Sequence, residues 1–103
     1  MITARFTGKP IASASISGHA GFADYGHDVV CAAVTSAVQL TANGITEVLK
    51  APCQVSVLQD KIVLTLPGNS TREAQAFLEA LRLHLTVLSE DYPGTIEVFV
   101  SEA

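Results

Sequence analysis

The chain has 103 residues, 49% of them hydrophobic and only 16% charged, with 6 Lys and Arg against 10 Asp and Glu for a formal charge of −4. That length suits a single domain, residues 1–103, with a core of its own, and the few scattered cations exclude a phosphate-binding surface, and so nucleic acid, as the main partner. No apolar run approaches the ~20 residues of a bilayer span, and Met1-Ile2-Thr3-Ala4-Arg5 lacks the layout of a signal peptide, so no membrane role and a cytoplasmic protein are expected.

Ile2-Thr3-Ala4-Arg5-Phe6 alternates, Gly8-Lys9-Pro10 turns the chain, and Ile11 to Ser17 alternates again with Ala12, Ala14 and Ile16 on one face; this predicts a β-hairpin. Ser13, Ser15 and Ser17 form the other face of its second strand. From Val29 onward Val30, Val34, Ala37, Val38, Ile45 and Val48 follow a 3.6-residue period. With Asp28 as N-cap, a helix is predicted from about 29 to 49, stopping before Pro52 and weakened at Gly44.

Cys53, Val55 and Val57 alternate with Gln54 and Ser56, Gln59-Asp60 turns, and Ile62, Leu64 and Leu66 return as the partner strand. The second hairpin so formed directs Cys53, Val55 and Val57 toward the core. After Pro67-Gly68, Ser70-Thr71-Arg72-Glu73 has the form of a capping box, in which Ser70 and Glu73 reciprocally satisfy free amides. The helix it starts carries Ala74, Phe77, Leu78, Leu81, Leu85 and Leu88 on one stripe, to about Ser89, and Asp91-Tyr92-Pro93-Gly94 ends it. Thr95 to Val100 makes a last strand with Ile96, Val98 and Val100 on one face. The order ββαββαβ predicts an α+β two-layer sandwich in which both helices cover one face of a mixed sheet.

Reactive side chains concentrate in Gly18-His19-Ala20-Gly21-Phe22-Ala23-Asp24-Tyr25-Gly26-His27-Asp28-Val29-Val30-Cys31-Ala32-Ala33-Val34, which holds two of the three histidines and one of the two cysteines. With Asp28 as N-cap, Cys31 falls in the first helical turn, among amides with no partner inside the helix, and such a place favours a thiolate. A thiolate acting on an amide needs a proton donor for the leaving amine, and His19, just past the second strand, is the candidate. Gly21 and Gly26 can hinge the intervening segment while Phe22 and Tyr25 supply apolar contacts, which makes it a flap over a peptide site or an ordinary loop.

Each residue also has a plainer reading. Cys31 fits as a small buried hydrophobe, His27 as a helper at the helix cap, and Asp28 as the cap itself, although a carboxylate there can also orient an imidazole. Cys53 reads as core and His84 as a boundary residue of the second helix. His19, Asp24, His27, Asp28 and Cys31 carry enough donor atoms for a metal, but their spacing fits no standard ligand pattern, so neither metal nor cofactor is expected. The rival to an enzyme is a non-catalytic interaction module whose exposed strand edge captures an extended peptide.

The same window, G-H-A-G-F-A-D-Y-G-H-D-V-V-C-A-A-V, resembles the signature of the bacterial ribosomal-processing cysteine protease family, Prp, and the likeness extends over essentially the whole chain. The resemblance implies a catalytic Cys at Cys31, a catalytic His at His19, the acidic residue of the signature at Asp28, and an assisting hydroxyl one turn after the nucleophile at Thr35, where the family commonly has Ser. It implies a mobile loop at Ala20 to Tyr25. It also implies a homodimer whose substrate is the N-terminal extension of a large-subunit ribosomal protein, the bL27 homologue, cut after a Phe. The acidic balance of the chain suits such a basic partner.

Overall fold

The computed structural model describes residues 1–18 and 25–102, and of residues 25–28 the backbone alone. Within them the chain forms β1 (Ile2–Thr7), β2 (Ser13–Ser17), α1 (Tyr25–Asn43) continuing as a π-helical turn (Gly44–Val48), β3 (Gln54–Leu58), β4 (Lys61–Thr65), α2 (Arg72–Asp91) and β5 (Ile96–Ser101). The five strands form one sheet in the order β3-β4-β2-β1-β5. All neighbours are antiparallel except β1 and β5, which are parallel. The expected α+β sandwich with a mixed sheet is the observed one.

Strand direction accounts for the placement of the helices. β1, β4 and β5 run one way and β2 and β3 the other, so β2-α1-β3 and β4-α2-β5 are both crossovers between parallel strands. They advance across the sheet in opposite directions while their strands also point in opposite directions. A half-turn about the sheet normal relates the two, and with both right-handed, both helices lie on the same face. One core cluster accordingly joins Val30, Val34 and Val38 of α1 and Ala74, Leu78, Leu81 and Leu85 of α2 to Ile2, Ala4, Phe6, Ala14, Leu64 and Ile96 of the strands. The opposite face carries the serines of β2, with Arg5 over the Phe99 ring at 4.7 Å.

Several local expectations are corrected. α1 begins at Tyr25, four residues before the expected start, so Asp28 lies inside the first turn and is not the N-cap. The cap of α2 is Thr71, whose hydroxyl accepts the Ala74 N–H at 3.2 Å, in place of Ser70, whose hydroxyl accepts from Gln75 at 3.1 Å. With two adjacent hydroxyl residues, either one can cap, and the stripe from Ala74 onward fits the later start.

α1 does not stay α-helical to its end either: the Leu49 N–H reaches back to the Gly44 carbonyl, a five-residue step at the point where α2 presses its Phe77 ring so close that Gly44 has no room for a Cβ. The stretch Val29–Val48, moreover, is long and apolar enough by composition to cross a membrane, with mean hydropathy 1.4, contrary to the reading of the sequence. Here its apolar stripe is the core face of α1 and its continuation, with Val30, Val34, Val38 and Ile45 buried.

The largest correction concerns β3. Val55 and Val57 pair with Leu64 and Ile62 and so lie on the helix-covered face, yet they are 41% and 74% exposed, while Leu64 is 0% exposed. Cover by the helices stops at β4. Leu64, in the second strand from the edge, is where the core closes on that side. Truncating it removes a fully buried side chain, and Leu64→Ala is expected to cost about 2–5 kcal/mol. At roughly 4–8 °C per kcal/mol for a domain of this size, a thermal melt reads this directly, whereas Val57→Ala, at an exposed site of the neighbouring strand, leaves the midpoint nearly unchanged.

Candidate active site

Cys31 is the seventh residue of α1, half-buried and packed against the core cluster. Thr35 and Gln39 follow it at i+4 and i+8 and are exposed. The three form a stripe along one flank of the helix, about 100° from the core-facing valines. This flank is one wall of an open, mainly apolar cavity of about 420 Å³. The tip of the β3–β4 hairpin, Val57 to Ile62, forms the opposite wall, and Ile2, Ile16 and Gly18 lie at the ends of β1 and β2 beneath it. Cys31 and Thr35, both singled out in the sequence, are therefore brought to one cavity.

Because α1 starts at Tyr25, Cys31 is not in its first turn. Only the first four amides of a helix lack an internal acceptor, and the dipole of the helix acts within its first turn. The expected explanation for a reactive thiol at Cys31, and the expected use of its own amide to receive an oxyanion, both fall with that boundary. Tyr25 and Gly26, expected in the loop, are instead the first two residues of the helix, where a regular backbone gives Gly26 no hinge to supply. His19, Gly21, Phe22 and Asp24 lie outside the described residues, as do the side chains of His27 and Asp28.

Gly18 fixes the point from which the segment bearing His19 departs. Its N–H donates to the Asp60 carbonyl at 3.1 Å, tying the end of β2 to the hairpin tip. Its φ of +85° is in the left-handed region, and an added Cβ would stand 2.5 Å from the Met1 carbonyl oxygen. The serine-rich second strand thus ends in a glycine that conformation and packing both require, a signal the sequence carries only as the first letter of the reactive window. The hairpin tip and Gln39 were missed by sequence reasoning, since neither bears reactive chemistry and only the fold brings them opposite Cys31.

The second cysteine behaves differently. Cys53 precedes the edge strand β3 and packs against the core, and burial pushes its thiol up from the ordinary value, against a smaller opposing effect from the Thr65 backbone. It is absent from the cavity lining. Neither cysteine is part of a disulfide.

Comparison with known proteins points to one family. A family model described as cysteine protease Prp matches residues 1–97. The ribosomal processing cysteine protease Prp of Bacillus subtilis (strain 168) is 27% identical over 96 residues, covering 87% of this chain and 86% of the relative. Among solved structures, the essential ribosomal processing protease Prp from S. aureus, in complex with a covalently linked product peptide, superposes with a TM-score of 0.87 at 23% identity over 97% of this chain and 99% of that one. SMU.848 from Streptococcus mutans superposes with a TM-score of 0.82 at 29% identity, over 98% and 94% of the two chains.

Gly18→Ala tests the anchoring of the site's border. A left-handed conformation costs an L-residue about 1–2 kcal/mol, and the collision with Met1 adds to it. The expected result is a lower melting midpoint together with a reduced kcat on any cleaved peptide, because the residue that follows is His19, the proton-donor candidate of the sequence. Gly94→Ala is the control. Its φ is +81° but nothing lies within 4 Å of the added Cβ, so stability falls while kcat at a temperature well below the midpoint does not.

Proposed function

The chain belongs to the cysteine protease Prp family, and within that family we propose that it is the cytoplasmic endopeptidase that removes the N-terminal extension of a large-subunit ribosomal protein, with Cys31 as nucleophile and His19 as its acid–base partner. The observation that carries this reading is the position of Cys31. It is a half-buried thiol on the wall of an open, largely apolar cavity, in a chain whose relative from Bacillus subtilis is a ribosomal processing protease.

The chemistry follows from the groups assigned. The Cys31 thiol gives its proton to His19 and the sulfur attacks the scissile carbonyl carbon. As the tetrahedral adduct collapses to a thioester, the C–N bond breaks and the imidazolium protonates the departing amine. Water, deprotonated by the same imidazole, then cleaves the thioester and restores the thiol. The hydroxyl of Thr35, one turn away on the same wall, is assigned to hydrogen-bonding the peptide. Asp28, on the first turn of α1, is assigned to orienting charge on the imidazole.

Incubation of the purified protein with the ribosomal protein carrying its extension tests the assignment. Cleavage is expected, and Cys31→Ala and His19→Ala are each expected to lower kcat/KM by at least about three orders of magnitude, as for members of one catalytic unit. Thiol alkylation abolishes activity and a chelator leaves it intact. An intact substrate that still binds the protein would favour the peptide-capturing module instead.

The reading includes a homodimer. Its support is the outer face of the two helices, where Leu40, Leu83 and Val87 are 71%, 56% and 42% exposed around a shallow apolar groove. Among the described residues, such a patch on the side of the helices away from the sheet has no partner. Light scattering on wild type is expected to give twice the chain mass of 10.8 kDa, and Leu83→Asp, a change at an exposed site, the single mass.

A further inference from the structure

We propose that the outer edge of β5 is a second docking site, where an extended, Lys- or Arg-bearing segment of the substrate, outside the stretch that enters the Cys31 cavity, adds to the sheet as a further strand. This rests on the protease reading above and deepens it by giving the substrate an anchor that shares no residue with the cavity lining.

Two hydrogen bonds fix which way the main chain of β5 faces. The Ile2 N–H donates to the Thr95 carbonyl at 3.0 Å and the Gly8 N–H to the Ser101 carbonyl at 2.8 Å, so the odd-numbered residues turn their main-chain groups toward β1. Along a strand these groups alternate from side to side. Ile96, Val98 and Val100 therefore turn theirs outward, past the last strand of the sheet. The register with β1 is unbroken from Ile2 opposite Ile96 to Thr7 opposite Ser101, so no bulge bends this edge, and Ile96–Ser101 contains neither Pro nor Lys. Those are the devices by which proteins keep an edge from pairing. Without them β5 is a template for strand addition.

The side chains say which strand fits. On the helix-covered face Val98 is half-buried and Val100 is 57% exposed, so an added strand gains by setting apolar residues beside them. On the open face Glu97 is exposed, and the residue beside it on an added strand has its Cβ about 5 Å away. A cation belongs there. Arg5, on the neighbouring strand, stands over the Phe99 ring, and among the described residues the ion pairs are Lys9 with Glu102 and Arg82 with Glu79. Glu97, with exposed Glu90 and Asp91 at the end of α2, is in neither. The start of β5 is also close to the cavity. Ile2 lines the cavity and is the register partner of Ile96, which puts the start of the edge one strand spacing, about 4.8 Å, from the cavity border. One substrate chain can occupy both.

Binding to the Cys31→Ala protein, followed by anisotropy, tests this. The probe is fluorescein-labelled Val-Thr-Val-Lys-Val-Thr-Val, with a counterpart in which Glu replaces Lys. Adding Glu97→Lys is expected to weaken binding of the Lys peptide about tenfold. Val100→Pro removes an outward N–H and no bond to β1, a change that an edge strand tolerates, and it too weakens binding about tenfold. Glu47→Lys, the same change of charge on the continuation of α1, leaves it unchanged. In the active protein, Glu97→Lys raises KM for the whole ribosomal precursor and leaves kcat/KM for a short peptide spanning the cut bond as it was.

Equal binding of the two peptides, unchanged affinity in Glu97→Lys or in Val100→Pro, or an equal loss in Glu47→Lys would each overturn the proposal. The two readings fail separately. Cleavage of the precursor with a KM that Glu97→Lys does not alter removes the edge site and leaves the protease, whereas edge-dependent binding in a protein that cleaves no ribosomal precursor removes the protease reading and leaves the edge.

Discussion

The handedness of two crossovers governs this molecule. β2-α1-β3 and β4-α2-β5 advance in opposite directions over one sheet, and the right-handed rule sends both helices to the same side. The sheet is then covered once and left open once, which is why β2 can carry Ser13, Ser15 and Ser17 on one side and Ala14 and Ile16 on the other. It also means that two helices must share the width of five strands. α2 packs on β5, α1 lies toward β4, and β3 projects beyond them. Everything distinctive about the cavity follows from that overhang.

α1 serves both core and site because its two roles occupy different angular positions. Val30, Val34 and Val38 recur at i, i+4 and i+8 and are buried; Cys31, Thr35 and Gln39 repeat the same spacing one residue later and line the cavity. A one-residue offset rotates a side chain by about 100°, enough to move it from the sheet to the space beside it. The core residues thereby set where the thiol points. A change at Val34 that tilted the helix would move Cys31 relative to the hairpin wall without touching either.

How far the sequence reveals this depends on whether a feature is periodic or relational. The alternation of Ile2, Ala4 and Phe6, the stripe from Ala74 to Leu85 and the turns at Gln59-Asp60 and Pro93-Gly94 are local patterns, and the strands and helices stand where they predict. Helix ends were less legible. Asp28 is a good cap by type, but Tyr25 to His27 have nothing that prevents helix, and Ser70 and Thr71 compete for one role. The exposure of Val55 and Val57 was not legible at all, because alternation says which face a residue takes and nothing about whether a helix reaches that far. For the site, Cys31 stood out by its chemistry and Thr35 only through the family resemblance, while Val57 and Gln39 enter only through topology.

The boundary of α1 also changes the account of reactivity. A thiol in the first turn of a helix is activated by unpaired amides and needs its histidine mainly to protonate the leaving group. Six residues into the helix, Cys31 stands about 9 Å along the axis from the first residue, beyond the turn over which the helix end acts. Under the proposed assignment the proton of Cys31 must then be accepted by the same group that later delivers it, so His19 carries both halves of the proton transfer. His19 follows Gly18 directly in the sequence, and the Gly18 N–H donates to the Asp60 carbonyl at the hairpin tip. The hairpin whose tip lines the cavity is thus also the anchor of the residue that precedes His19, the acid–base partner under that assignment.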